Sequence, residues 1–180
     1  GGESASGDHA MFTREGSVIR AVVCDGLGHG PDARAAADAA MAVFRERHLD
    51  PPAVLIEESH RRLHRTRGVV MLAAHVSNAG ALELASVGNV EAMVAAFHRS
   101  RRFGGTSATV GGRPGPMKPR VEVAPLVPDD VVILMTDGIQ TKASVENEAT
   151  LLRAHPASIA QHVLERFARP NDDALVLVVR

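Results

Sequence analysis

The apolar positions of the chain follow two rhythms. Val18, Ile19, Ala21, Val22 and Val23 make residues 17–24 the apolar second arm of a hairpin whose first arm is 9–14 and whose turn is Glu15-Gly16. Between residues 31 and 48 the period becomes helical, through Ala36, Ala40, Val43 and Phe44, with Pro31 in first-turn position. Asp50-Pro51-Pro52 stops that helix. A second is predicted over 53–65, with Leu55, Ser59 and Leu63 on one face and a basic end that suits a helix C-terminus. From Gly68 onward the pattern is that of strands: 69–76 and 81–87 joined by Asn78-Ala79-Gly80, then a Gly88-Asn89 turn, then 90–97. Residues 99–119 are basic and rich in Gly and Pro, and read as a long mobile loop with room for one short strand. Strands are predicted at 121–124 and 130–136, the second with an unbroken apolar run from Val131 to Met135 that implies burial on both faces. A helix over 156–168 has Ile159, Val163, Leu164 and Phe167 as its inner face, and 174–179 is a last, wholly apolar strand. Long antiparallel groups of strands, with helices in two blocks, predict an α+β layered sandwich rather than alternating βαβ units.

No repeat of about 20 to 50 residues and no linker divides the sequence, so a single domain over 1–180 is expected. Its 180 residues carry 20 Lys+Arg against 21 Asp+Glu, a net charge of −1, and 45% are hydrophobic, the composition of a folded globular chain. Near-zero charge with only 3% aromatic residues argues against a nucleic-acid partner, which needs a basic field and stacking platforms. One cysteine excludes an internal disulfide and a cysteine-only zinc site. No apolar run approaches the ~18 residues of a membrane span, and the start lacks a basic-then-apolar signal, so a cytoplasmic location is expected. The chain opens on Gly1 rather than Met, so a processed, tagged or excised piece is expected, one that leaves room for an earlier first element.

The acidic residues fall in informative places. Asp25 directly follows one apolar strand, Asp137 another, Asp172-Asp173 directly precede a third, and Asp8 lies just ahead of the first. If these strands are neighbours, the carboxylates meet at one rim, where like charges cannot all stay ionised without a counter-ion. A hard divalent cation with oxygen ligands, Mg²⁺ or Mn²⁺, meets that need. Taken singly, each Asp-Gly is also ordinary turn chemistry, and Asp172-Asp173 a charged strand edge. The loop Asp25-Gly26-Leu27-Gly28-His29-Gly30 is either a phosphate cradle at a helix N-terminus or a tight strand-to-helix turn. It lacks the Gly-Lys-Ser/Thr of a nucleotide P-loop.

Together these motifs resemble the metal-dependent serine/threonine phosphatases of the PPM (PP2C-like) superfamily, in its bacterial SpoIIE/RsbX-type branch. Gly2-Glu3-Ser4-Ala5-Ser6-Gly7-Asp8 is similar to the opening Gly-Glu-x-x-Ser-Gly-Asp of that branch, and Asp25–Gly30 to its Asp-Gly-x-Gly-His-Gly loop. Gly88-Asn89, Thr136-Asp137-Gly138-Ile139 and Asn171-Asp172-Asp173-Ala174 match its remaining motifs in order. The resemblance implies a four-layer α-β-β-α sandwich with two antiparallel sheets, two Mn²⁺ or Mg²⁺ ions at one edge, and hydrolysis of phosphoserine or phosphothreonine by activated water. It implies that Asp25 bridges both ions, the Gly26 carbonyl completes the second, Asp137 and Asp172 hold the first, and Asp8 acts directly or through water. Cys24 then has no part as a nucleophile and is a small buried apolar residue.

The sequence departs from the pattern in three places. Leu27 stands where many relatives outside the branch carry a histidine, so an acid role falls to His29, which is otherwise a loop packing residue. No arginine in 1–8 matches the phosphate-gripping residue of other branches. Leu175 replaces the threonine of the terminal motif. The resemblance points to a phosphorylated bacterial regulatory protein as substrate, a STAS-domain or stressosome component, and to a monomer or weak dimer. The basic residues Arg99, Arg101, Arg102, Arg113, Lys118 and Arg120 form either a docking patch for such a phosphoprotein or a solvated loop. A catalytically silent module that binds phosphorylated partners, and a protein that associates through the helices of 31–65, are the alternatives.

Overall fold

The computed structural model describes residues 6–180. In chain order the elements are β1 (Asp8–Glu15), β2 (Val18–Gly26), α1 (Pro31–Arg47), α2 (Pro52–Arg62), β3 (Val69–Ser77), β4 (Ala81–Val87), β5 (Glu91–Ala96), β6 (Arg99–Gly104), β7 (Arg120–Pro125), β8 (Val131–Met135), α3 (Ala149–Leu152), α4 (Pro156–Phe167) and β9 (Val176–Val179). They build two sheets, one in the order β1-β2-β3-β4-β7 and the other β6-β5-β8-β9. Every pairing is antiparallel.

Strand alternation explains why the sheets stack. On β2, Val22 and Cys24 enter the apolar cluster beneath α1 and α2, while Ala21 and Val23 enter the cluster between the sheets. On β3, Met71 and Ala73 face the helices, and Leu72 and Ala74 face the second sheet. The same division recurs on β8: Val132 and Leu134 join the inter-sheet cluster, and Val131, Ile133 and Met135 pack with α3 and α4. The outcome is four layers, helices, sheet, sheet, helices, with β8 covered on both faces as its unbroken apolar run requires. Leu72 and Leu134 are both fully buried between the sheets. Each such side chain contributes on the order of 2 kcal/mol of burial free energy.

Two expectations change. The stretch from residue 99, expected to be a long mobile loop with room for one short strand, opens with that strand, β6, as a sheet edge paired to β5 over six positions. Its basic residues hold it in place: Arg102 donates to Glu91 Oε2 at 2.6 Å, Arg101 donates to the Pro125 carbonyl at 2.7 Å, and Arg99 pairs with Asp130. Side chains that looked like loop solvation are sheet fasteners. The final strand starts at Val176 rather than 174, because the Leu175 carbonyl accepts from the Thr136 N–H while the Leu175 N–H donates to the Thr136 hydroxyl rather than to the ladder.

Candidate metal centre

The register of the first hairpin places two carboxylates side by side, since Asp8 opens β1 and faces Asp25 near the end of β2. The Gly26 N–H donates to the Gly7 carbonyl at 3.1 Å and closes the strand ends. A second hydroxyl-centred link ties this edge to the other sheet. Thr136, 2% exposed at the end of β8, donates from Oγ1 to Asp8 Oδ2 at 2.6 Å and accepts from the Leu175 N–H at 2.9 Å. Asp137 follows at once, and its carboxylate accepts from Asn89 Nδ2 while its carbonyl accepts from Arg169 Nε at 2.9 Å. Asp172 lies in the segment after α4 that leads into β9.

Two close approaches make the convergence possible. A Cβ on Gly26 would lie 2.1 Å from the Ala33 carbonyl oxygen, so only glycine lets α1 pack onto the end of β2. A Cβ on Gly138 would lie 1.8 Å from the Asp173 carbonyl oxygen, so only glycine lets the Asp172-Asp173 segment cross directly over Asp137-Gly138.

The electrostatics of the rim are those of crowded acids. Burial pushes the Asp25 carboxyl up to about 7, and the charges of Asp8, Asp137 and Asp172 push in the same direction. Asp8 is also raised, mainly by burial, against the lowering effect of the Thr136 hydroxyl. Asp137 is raised by burial and by Asp172, while Arg169 and Asn89 pull it back. Asp8 and Asp25 face one another across β1 and β2, and among the described residues neither makes an ion pair.

Hard oxygen donors without a counter-charge fit Mg²⁺ or Mn²⁺. The side chains are gathered in pairs rather than as a finished cage: among the described residues, no group of three or more His, Cys, Asp or Glu has the arrangement of a metal site as it stands.

A pH dependence follows. A carboxyl raised from 3.8 to about 7 on folding stabilises the metal-free fold fully below about pH 4, and that contribution is lost as pH rises through 7. The His75 imidazole is lowered by burial and acts in the opposite sense below about pH 6.5, because the unfolded chain then takes up the proton more readily. The difference in melting temperature between the metal-free protein and Asp25→Asn therefore isolates the carboxyl. Calorimetry should show the wild type losing stability relative to the variant from pH 5 to 8, with Mg²⁺ removing most of the loss because it displaces the proton. Parallel melting curves for the two proteins would refute this.

The remaining candidates are also placed. The Cys24 side chain is wholly buried beneath α1, and burial together with the Asp25 charge pushes its thiol far up, so it packs as an inert apolar group. Leu27 is half-buried against the inter-sheet cluster, which gives the apolar departure at that position a packing role. His29 is exposed in the loop before α1. Leu175, where the family pattern has threonine, donates its backbone N–H to Thr136 Oγ1 at 2.9 Å. The opening motif before residue 6 lies outside the described residues. Sequence reasoning passed over Thr136 as a bridge and Arg169 as an orienting group. Thr136 was legible only as part of the Thr-Asp-Gly-Ile motif, and Arg169 carried no signal. A cavity of about 670 Å³ opens beside Asp137, between Asn89, Arg102, Thr106, Arg169 and Asp172.

A four-layer sandwich of two antiparallel sheets, with Asp8 and Asp25 paired at one edge, has the fold of the PP2C-type phosphatases. The sequence matches the family profile of stage II sporulation protein E (SpoIIE) over residues 15–180, and the chain belongs to that family. Among solved structures it is similar to a protein described in work on the bacterial stressosome as a modular system adapted to control secondary-messenger signalling. The two are 28% identical, with a TM-score of 0.86 and coverage of 99% of this chain and 93% of that one. RsbX in complex with magnesium is similar at 19% identity and a TM-score of 0.82, over 98% of this chain and 87% of that one. The serine/threonine phosphatase of S. agalactiae is similar at 14% identity and a TM-score of 0.78, over 99% of this chain and 93% of that one. No curated protein sequence matches.

Proposed function

We propose that the chain is a single catalytic domain that hydrolyses phosphoserine or phosphothreonine on a protein, using two Mg²⁺ or Mn²⁺ ions held by Asp8, Asp25, the Gly26 carbonyl, Asp137 and Asp172. The carrying observation is that Asp25 feels Asp8, Asp137 and Asp172 at once, three acids from three chain segments. Asp25 would be shared between the two ions, with Asp8, the Gly26 carbonyl, Asp137 and Asp172 completing their ligands. When bound, the ions supply a water made nucleophilic at neutral pH and positive charge for the phosphoryl oxygens during in-line displacement. The chain's own residues do the positioning. Asn89 and Arg169 fix the Asp137 carboxylate and backbone, Thr136 aims Asp8, and the glycines at 26 and 138 bring the strand ends within reach. The open cavity beside Asp137 has room for a phosphorylated side chain on a protein surface.

The stressosome relative and RsbX support a phosphorylated bacterial signalling protein, a stressosome or STAS-domain component, as the substrate. A monomer or weak dimer working in the cytoplasm suits that role. No helix among the described residues is long and apolar enough to cross a membrane. The test is release of phosphate from phosphoserine and phosphothreonine peptides with Mn²⁺ or Mg²⁺, before and after chelation. Turnover that survives chelation would refute the assignment. The departures from the family pattern at Leu27 and Leu175 favour a second reading, a silent module that binds phosphorylated partners. Well-folded protein that binds Mg²⁺ without turning over any phosphopeptide would establish it.

A further inference from the structure

We propose that the cavity behind the Asp25–Gly30 loop, between the end of α2 and residues 109–116, is a second binding site, for an anion of the phosphate class. The inference stands apart from the phosphatase reading. The cavity measures about 630 Å³, and Leu27, His60, Arg67, Thr109 and Arg113 are among the residues that line it. Among the described residues, none that lines it is acidic.

Its walls are held rather than loose. Val110 bridges to Val69, the Gly111 N–H donates to His60 Nδ1 at 2.9 Å, and the Gly112 N–H donates to the Leu63 carbonyl at 3.2 Å. The bond to His60 settles the imidazole's tautomer. Nδ1 is the acceptor, so the ring hydrogen of the neutral imidazole belongs on Nε2. His60 is only 7% exposed, and Nε2 is buried with no hydrogen-bond partner. A buried donor without an acceptor costs free energy that a ligand oxygen would recover.

Two cations face the same space. Arg113 makes no side-chain ion pair among the described residues. Arg67 has one exposed pair, to Asp32 at 3.0 Å, and its Nη1 lies beneath the glycine loop, where a Cβ on Gly28 would come within 2.9 Å of it. The backbone donors of Gly111, Gly112 and Arg113 are already spent, and Pro114 and Pro116 have none, so recognition falls chiefly to the side chains. His60, Arg67 and Arg113 line one cavity, and an imidazole N–H together with two guanidinium groups suits a compact oxyanion.

The 19.0 kDa chain permits a direct test by nuclear magnetic resonance. Inorganic phosphate is titrated into the full-length chain with and without Mg²⁺, at constant ionic strength set by chloride. The expected result is a saturable shift of the His60 ring and of the Gly111 and Gly112 amides in both states. Arg113→Ala should weaken it at least about tenfold, the loss of one charge-assisted hydrogen bond. Arg153→Ala, a remote change of equal charge, should leave it unaltered. A shift that survives Arg113→Ala, one that appears only with Mg²⁺, or no shift at all would overturn the proposal. A phosphoserine peptide that binds more tightly than phosphate would assign the anion to a phosphoprotein, and equal affinity would assign it to the free ion.

Discussion

Asp25→Asn should lower kcat/KM on a phosphoserine peptide by on the order of a thousandfold and leave the protein folded. The substitution keeps the shape of the side chain and removes the one charge that Asp8, Asp137 and Asp172 all face. Charge stabilisation by paired cations is worth several kcal/mol at the transition state, and each 1.4 kcal/mol is about tenfold in rate. Stability should move the other way. The metal-free variant no longer carries a crowded carboxylate, so at pH 8 it should melt no lower than the wild type. Activity and melting temperature measured on the same preparation decide the matter. A variant that keeps more than about a tenth of the wild-type rate with Mg²⁺ would remove Asp25 from the centre of the chemistry. A variant inactive because it is unfolded would show itself in the melt.

Gly138→Ala should be the most damaging single methyl in the chain. Its Cβ would lie 1.8 Å from the Asp173 carbonyl oxygen, 2.7 Å from the Asp173 carbonyl carbon and 2.8 Å from Ala174 Cα. All three are backbone atoms, so no rotamer change relieves the clash, and the crossing segment must move. Overpacking of this kind costs about 1–3 kcal/mol or more, which for a chain of this size lowers the melting temperature by several degrees. The movement carries Asp172 away from Asp137, so Mg²⁺ affinity measured by calorimetry should fall even where the fold survives. Gly16→Ala is the control. Its φ of 58° sits in the hairpin turn and nothing lies within 4 Å of its Cβ, so only the left-handed backbone is strained, at about 1 kcal/mol, with metal affinity intact.

The layered architecture was legible because strand alternation and helical period are local signals. Val22 and Val23 must face opposite ways in any strand, and each found its own apolar cluster. The positions of Asp25 and Asp137 after apolar runs were legible for the same reason, and Thr136-Asp137-Gly138 gave away the turn that follows β8. What was not legible depends on distant segments meeting. Residues 99–104 have a loop's composition, yet they become an edge strand because Glu91, Asp130 and the Pro125 carbonyl supply partners from elsewhere. Arg169 orients Asp137 from 32 residues away, and no nearby pattern marks it. The order of strands in the two sheets, which decides whether the acids meet at all, is fixed by the inter-sheet core rather than by any motif.

The Thr136 hydroxyl joins residue 8 to residue 175, so it cannot be satisfied until both ends of the chain have docked. Loss of that one hydroxyl would therefore loosen the start of β1 and the approach to β9 together.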